Sequence, residues 1–345
     1  RRLPQAPRLG PGASRTRVAV GLTDTASSMA DTTATDDAVS TAARPIDAAR
    51  KWSLAAFVTV FLWSVSTFGI PVDRIAVLTW MLAGFAVGSI GRSRAQISRM
   101  IRDWVVLVAI YMAYDYSRGT ADQWGIPVNF TGPRNLDGIL TLGREPVSGM
   151  QRRFYTPGDV KWYDVTGSII YMTHFVLPVV PLAVLRIKDR PEWIRYVRRF
   201  SVTLFTSVLV FIVYPAAPPW MASEQGFMPP LERITGRGWG EVGLDTVSKT
   251  FDRGVAVLNP VAAMPSLHAG LALLVALWFT RNSARWVRGA ALLHPFFMMV
   301  TLVYFGEHYI VDCLAGWLVV LFAFWASGRW EDRRTERAAI ADPSA

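Results

Sequence analysis

One cysteine in 345 residues, Cys313, rules out an intramolecular disulfide, and it lies inside an apolar run where a thiol serves packing. Histidine is almost as scarce, with four copies, so histidine chemistry has few seats to occupy. Charged residues make up 18% of the chain, below the quarter or so of an ordinary soluble domain. No apolar core of a signal peptide precedes Trp52, and no internal repeat is visible. The net charge of +10 does not mark a nucleic-acid binder, because residues 1–28 alone hold five Arg against one Asp. That stretch is rich in Pro, Gly, Ser and Arg, and an acidic, Thr/Ala-rich stretch begins at Met29. Met29 is therefore read as the start, residues 1–28 as foreign to the native chain, and residues 1–45 as a disordered tail.

What is abundant is apolar sequence, 52% of the chain, with 14 Trp and 18 Phe. It falls in runs that approach the roughly 20 residues needed to cross a bilayer. About eight spans are expected, over Trp52–Ile70, Arg74–Gly91, Asp103–Tyr116, Tyr163–Leu185, Phe200–Trp220, Ala262–Thr280, Trp286–Phe305 and Tyr309–Ser327. Arginine crowds Gly91–Arg102, Arg186–Arg199, Arg281–Arg288 and the tail after Gly328. That many spans put all four basic segments on one face, with Arg44, Arg50 and Lys51, and the positive-inside rule makes that face cytoplasmic. Both termini are then cytoplasmic, in the plasma membrane, and the long loops Ser117–Trp162 and Met221–Val261 face outward. The expected fold is an all-α polytopic transmembrane helix bundle. Its parts are an N-terminal hairpin over 46–102, a six-helix core over 103–327 and a cytoplasmic tail over 328–345.

Two short segments at outer span ends carry chemistry. His308 and Asp312 stand four residues apart, which on a helix is one face, so the carboxylate can hold one imidazole nitrogen and leave the other as base or nucleophile. A carboxylate that deep in an apolar run wants such a partner. Met264-Pro-Ser-Leu-His-Ala-Gly270 opens another span. Pro265 suits a first helical turn, and the free N–H groups of Ser266, Leu267 and His268 would face an anion there. The topology places His268 and His308 at the same membrane face.

Pro265-Ser266-Leu267-His268 and His308-Tyr-Ile-Val-Asp312 resemble the type-2 phosphatidic acid phosphatase superfamily, whose second motif is Pro-Ser-Gly-His and whose third ends in His-x-x-x-Asp. Leu267 in place of Gly is similar to the branch of inositol phosphorylceramide synthase and its bacterial relatives. Tyr214-Pro-Ala-Ala-Pro-Pro-Trp220, Tyr171-Met-Thr-His174, Glu307-His308-Tyr309 and Ala315-Gly316 fit the same branch, over roughly residues 100–327. The resemblance implies His308 as nucleophile toward phosphorus, Asp312 as its orienting partner and His268 as general acid and then base. Ser266 would hold phosphate oxygens, and no metal or other cofactor would be needed. His174, Glu307, Tyr309 and Trp220 are candidate lining residues, His174 with an even chance of being structural instead. The chain departs from the superfamily in its first motif, Lys followed by Arg-Pro, which has no counterpart on the outer face. It departs again at Thr301-Leu302, where Ser-Arg is usual. Cationic phosphate partners must then come from the first outer loop, where Arg144 and Arg152 are preferred over Arg153 and Lys161.

The resemblance implies a phosphotransferase that moves a head group, phosphoinositol for example, from a phospholipid or polyprenyl-phosphate donor to a lipid or glycan acceptor. Two alternatives stay open: a lipid or prenyl-diphosphate phosphatase using the same residues, and a non-catalytic lipid transporter with a residual site. A zinc site from His174, His268, His308 and Asp312 would use permitted ligands, but its spacing matches no zinc motif. His294, before Pro295, reads as structural.

Overall fold

The computed structural model describes residues 48–69, 71, 74–243, 259 and 261–341. The tail expected over 1–45 lies outside the described residues, as do 244–258 of the second long loop and the last four residues. The helices are α1 (Ala48–Phe68), α2 (Arg74–Ser89), α3 (Arg94–Gly119), α4 (Gly132–Leu140), α5 (Pro146–Phe154), α6 (Trp162–Val176), α7 (Val179–Lys188), α8 (Arg190–Val213), α9 (Pro219–Glu224), α10 (Leu267–Thr280), α11 (Arg285–Tyr304) and α12 (Ile310–Ala341). Among the described residues there is no strand, only two isolated bridges. The fold is all-α.

Each apolar run of the sequence is mostly helical over its described residues, with residues 214–218 and 262–266 outside the helices. By length and composition α1, α8, α11 and α12 can each cross a bilayer, and α6 with α7 makes a fifth span bent by 43°. α2 and α10 are apolar but shorter. α3 is long enough, yet Asp103, Asp115 and several arginines interrupt it. Its start differs from expectation. The arginine-rich stretch taken as a connection is the first part of the helix, because Ser93 and Gln96 form a reciprocal capping box at its start. Likewise α12 runs on through Arg329 and Arg333 to Ala341 rather than stopping at the end of the apolar run.

Local chemistry sets the breaks. Pro178 separates α6 from α7, since it has no N–H to continue the helical ladder, and its carbonyl accepts the Tyr196 hydroxyl at 2.9 Å. Asp189 caps α8 by accepting from the Glu192 amide at 3.0 Å, with Pro191 in the first turn. Asp103, buried on α3, accepts from Arg190 at 2.7 and 2.8 Å and pairs with Arg186 at 2.7 Å. That shared carboxylate ties α3 to the junction of α7 and α8. Such a pair is costly to break by removing one partner.

α10 is the central helix, packed against α8, α11 and α12. The α10–α12 crossing is made by glycines: a Cβ on Gly270 would lie 3.1 Å from the Gly316 carbonyl oxygen. In lipid, where helix association depends on close packing and not on water exclusion, small residues at a crossing are the expected device. α1 and α2 stand to one side, joined by Trp80 edge-on to Phe61 at 4.9 Å and to Phe57 at 5.7 Å. The hairpin meets α3 through Phe85 and Trp104, 6.2 Å apart.

On the face where α12 begins, three extended single residues lie side by side. Asn129 pairs with Ala216, and Ala216 with Ala262. This strap fixes Pro215–Pro219 against the segment that leads into Ser266.

Candidate active site

Ser266 is the N-cap of α10, its hydroxyl accepting from the Ala269 amide at 3.4 Å. Its own amide donates to the Asp312 carbonyl at 2.8 Å, so the starts of α10 and α12 are stapled backbone to backbone. The expected frame is thereby corrected by two residues, the helix beginning at Leu267. Pro265 lies before the helix rather than in its first turn, and of the three amides expected to face an anion that of Ser266 is spent on Asp312. The Ser266 hydroxyl is fully buried and serves as cap. The polar side chain, which can satisfy the third amide of the helix, outcompetes proline as the start signal.

His268, one residue into α10, is enclosed by aromatic rings. Tyr171 stacks on it at 4.8 Å and 29°, and His174 lies 4.0 Å away, both from α6. His308 faces it from the third side, ring centroids 5.6 Å apart. The three histidines that the sequence set apart thus meet in one place. The fourth does not join them: His294 Nε2 meets the Thr173 hydroxyl at 2.8 Å and ties α11 to α6.

His308 is not on a helix, contrary to the expectation of a shared helical face. It sits two residues before α12. Asp312, fully buried in the first turn, turns one oxygen back toward the helix start. That Oδ2 accepts from the Tyr309 amide at 2.9 Å and lies 3.4 Å from His308 Nδ1. The carboxylate is therefore a capping group as well as the histidine's partner. A negative group at a helix N-terminus is favoured by the exposed amides and the dipole.

The turn that delivers His308 needs Gly306, whose φ of +76° is left-handed and whose absent Cβ would strike Leu231 at 2.9 Å. The Gly306 carbonyl accepts from the Trp220 amide at 3.1 Å, which ties the start of α9 to this turn. Glu307 is nearly buried and accepts from Arg233 Nε at 2.7 Å and from the Thr235 hydroxyl. Arg233 also lies 5.8 Å from the Trp220 ring. Its loop is held by Gln151 of α5, whose amide donates to the Glu232 and Tyr304 carbonyls at 2.7 and 3.0 Å and accepts from the Glu232 amide at 3.0 Å.

Arg118 at the end of α3 and Arg233 are the arginines whose charges act on His268. Neither was expected from the sequence. The Arg118 carbonyl accepts from Asn259 at 3.1 Å, and Tyr114, one turn earlier, and Leu267, beside His268, both pack against Val208 and Phe211. Arg144 instead is exposed on the rim of a cavity of 420 Å³ lined by Arg134, Asp137, Glu145, Met228 and Tyr309. Arg152 is exposed near the end of α5. Tyr309 faces that cavity too, its hydroxyl 3.4 Å from Met228 Sδ. Arg144 and Tyr309 thus belong to the neighbouring cavity.

Asp137 was also missed. Its two oxygens accept from the Ile310 and Val311 amides at 2.9 and 2.8 Å, which are the first two free amides of α12. Burial lifts its carboxyl to about 6, against the pull of those amides and with help from the charge of Asp312. The signal available in sequence was Pro133, which marks a helix start in the loop, and Glu307, a carboxylate beside His308 that required a cation. Among the described residues no group of three or more His, Cys, Asp or Glu side chains has the geometry to hold a metal ion.

The sequence profile of the PAP2 superfamily matches residues 153–326. The chain belongs to the PAP2 superfamily. It is an integral membrane enzyme of the phosphotransferase or lipid phosphatase kind. Among curated proteins it is similar to the phosphoinositol dihydroceramide synthase of Bacteroides thetaiotaomicron, 29% identical over 59% of this chain and 69% of that one. It is also similar to the catalytic subunit of inositol phosphorylceramide synthase of Schizosaccharomyces pombe, 23% identical over 64% of this chain and 52% of the relative. The inositol phosphorylceramide synthase of Candida albicans is 27% identical over 47% of this chain and 35% of its own length. No solved structure matches the chain.

Proposed function

We propose that this PAP2 enzyme transfers a phosphate-linked head group, phosphoinositol, from a phospholipid donor to a lipid hydroxyl through a phosphohistidine on His308. The observation that carries the proposal is the apposition of His268 and His308, 5.6 Å between rings, with Asp312 behind the second. That spacing admits a phosphorus centre between the two rings.

In the first half-reaction His308 Nε2 attacks phosphorus, the bond to the diacylglycerol oxygen breaks, and His268 gives that oxygen its proton. In the second, His268 takes the proton of the acceptor hydroxyl, the acceptor oxygen bonds to phosphorus, and the P–N bond breaks. Asp312 holds the Nδ1 proton of His308 and balances the positive charge of the phosphorylated ring. Arg118 and Arg233 offset the charge on the phosphate oxygens, the task given in other superfamily members to cations this chain lacks. The amides of Leu267 and His268 point the same way. Acid–base catalysis of this kind contributes on the order of 10²–10⁴ in rate.

Transfer is favoured over hydrolysis by enclosure. His308 is 7% exposed, and Tyr171, His174 and Phe175 enclose His268. Excluding water protects an intermediate that water would otherwise consume. The relatives' names point to phosphoinositol as the group moved and to a ceramide-type lipid as acceptor. The positive-inside pattern supports a reading in which the histidines lie on the outer face of the plasma membrane and both termini inside.

The test is purified enzyme in nanodiscs with inositol-labelled phosphatidylinositol, with and without ceramide or diacylglycerol as acceptor. Label should appear in a new lipid only when acceptor is present. Release of water-soluble inositol phosphate at the same rate without acceptor would overturn the transferase reading.

A further inference from the structure

α4 carries two faces with different partners. Pro133 and Asp137 are buried against the bundle, and Asp137 holds the first two amides of α12. On the adjoining flank Leu136, Ile139 and Leu140 are exposed, and the chain continues into Leu142, which is 93% exposed with a φ of +56°. A leucine is held in a left-handed conformation that favours glycine, and its side chain projects away from the protein.

The depth of this patch is fixed by what α4 grips. α12 starts its apolar run at Ile310, so Asp137 sits where a span leaves the hydrocarbon. Trp124, before α4, and Trp162, at the start of α6, are both largely exposed, as interface anchors are. Charge follows the same layout. Arg144 is exposed close to Leu142 in the chain, and Arg134, the third residue of the helix, is partly exposed and paired with Glu145. A short helix with leucine and isoleucine on one flank and arginine at its rim is suited to the boundary between head groups and acyl chains.

We infer that α4 is an interfacial helix whose Leu136–Leu142 flank is embedded in the head-group boundary of the leaflet on the histidine side, and that Asp137 transmits its position to the start of α12. The lipid surface thereby becomes part of what holds Asp312, and through it His308, in place. This goes beyond the transfer reaction and stands on the fold alone. Asp137 is a positioning residue here, since it touches backbone and not substrate.

The experiment uses the full chain in phospholipid nanodiscs and needs no activity, so its failure is separate from any failure of the transferase reading. Leu142→Cys and Ile139→Cys, each labelled with an environment-sensitive fluorophore, should give blue-shifted emission quenched by spin labels on the upper acyl chain. Quenching by aqueous iodide instead would place the flank in water and overturn the proposal. Energy transfer between copies, without lipid quenching, would assign it to a dimer contact and overturn it equally. The second arm is amide hydrogen exchange over residues 308–312. Leu142→Asp, which removes no packing inside the protein, should speed exchange there about tenfold, and Asp137→Ala at least as much, while α8 and α11 keep their protection. If Leu142→Asp leaves residues 308–312 unchanged while Asp137→Ala does not, the coupling is refuted. Ile139→Asp repeats the test from a second position.

Discussion

Gly316 of α12 lies directly on the Ser266 carbonyl, so close that a Cβ there would overlap the oxygen. Ser266 precedes His268 by two residues, so whatever parts this contact parts the histidines. Gly316→Ala is therefore expected to lower activity by more than about tenfold and to cost about 1–3 kcal/mol in stability, as overpacking of a tight contact does. Gly270→Ala, where the new methyl would meet the Gly316 oxygen at 3.1 Å, should show a milder form of the same defect. Thermal unfolding in detergent beside a turnover assay reads both. Full activity in Gly316→Ala would show that the crossing does not set the histidine spacing.

His308→Ala should abolish both transfer and the acid-labile phosphoenzyme trapped by rapid quench. His268→Gln should slow both the formation and the discharge of the phosphoenzyme, and Asp312→Asn should lose on the order of 10²–10⁴ in kcat. A phosphoenzyme that survives His308→Ala would move the nucleophile elsewhere.

Arg233 is tethered to Glu307, the neighbour of His308. Arg233→Gln should weaken use of the donor by roughly 10–100-fold in kcat/KM, the range of a lost charge-assisted contact to phosphate. Arg152→Gln, on the exposed side of α5, should change it little. Steady-state kinetics on the two variants separates them, and equal losses would return the phosphate to the first outer loop.

Burial holds the Asp137 carboxyl at about 6, above its ordinary 3.8. The folded protein then keeps this proton where the unfolded chain has lost it, so the contribution of Asp137 to stability is fully present below about pH 4 and is lost as pH rises through about 6. Arg134, Arg144 and Glu145 share its cavity, and Asp312 faces it from α12. Asp137→Asn should remove that contribution. The difference in melting temperature between wild type and variant across this window checks the sign: a wild-type advantage that grows as pH rises contradicts it.

His268 and His308 were legible because each sits in a short segment whose residue types constrain one another, and because the arginine-rich connections put both at the same membrane face. The helical content was legible from the apolar runs. Helix starts were less so. A proline before a serine reads as the first helical residue, and only the bonds made by the Ser266 hydroxyl and amide show that the helix begins two residues later, at Leu267. The start of α3 was hidden because arginines in a helix and arginines in a loop look alike along the chain. Arg233 and Asp137 were out of reach for a different reason. Each owes its position to partners far away in sequence, Gln151 for the first and the Ile310 and Val311 amides for the second. A lone Arg or Asp in a glycine- and proline-rich loop carries no mark of such a partner. The number of spans stays between what length and composition allow, four or five, and the larger number the charge pattern suggests.

The last helix is gripped at both ends. Near its beginning, Asp137 and Ser266 bond its backbone; beyond its apolar part, Glu331 takes Arg198 and accepts both terminal nitrogens of Arg199 at 2.9 and 3.0 Å. A rod anchored this way can neither slide nor rotate without breaking ionic or backbone bonds at one extremity. α6 and α7 are held at their far ends as well, Asp164 by Arg237 at 3.0 Å and the Tyr304 hydroxyl at 2.7 Å and Arg186 by Asp103 at 2.7 Å, so a path for bulky lipid tails has only the 43° break beside Pro178 at which to open.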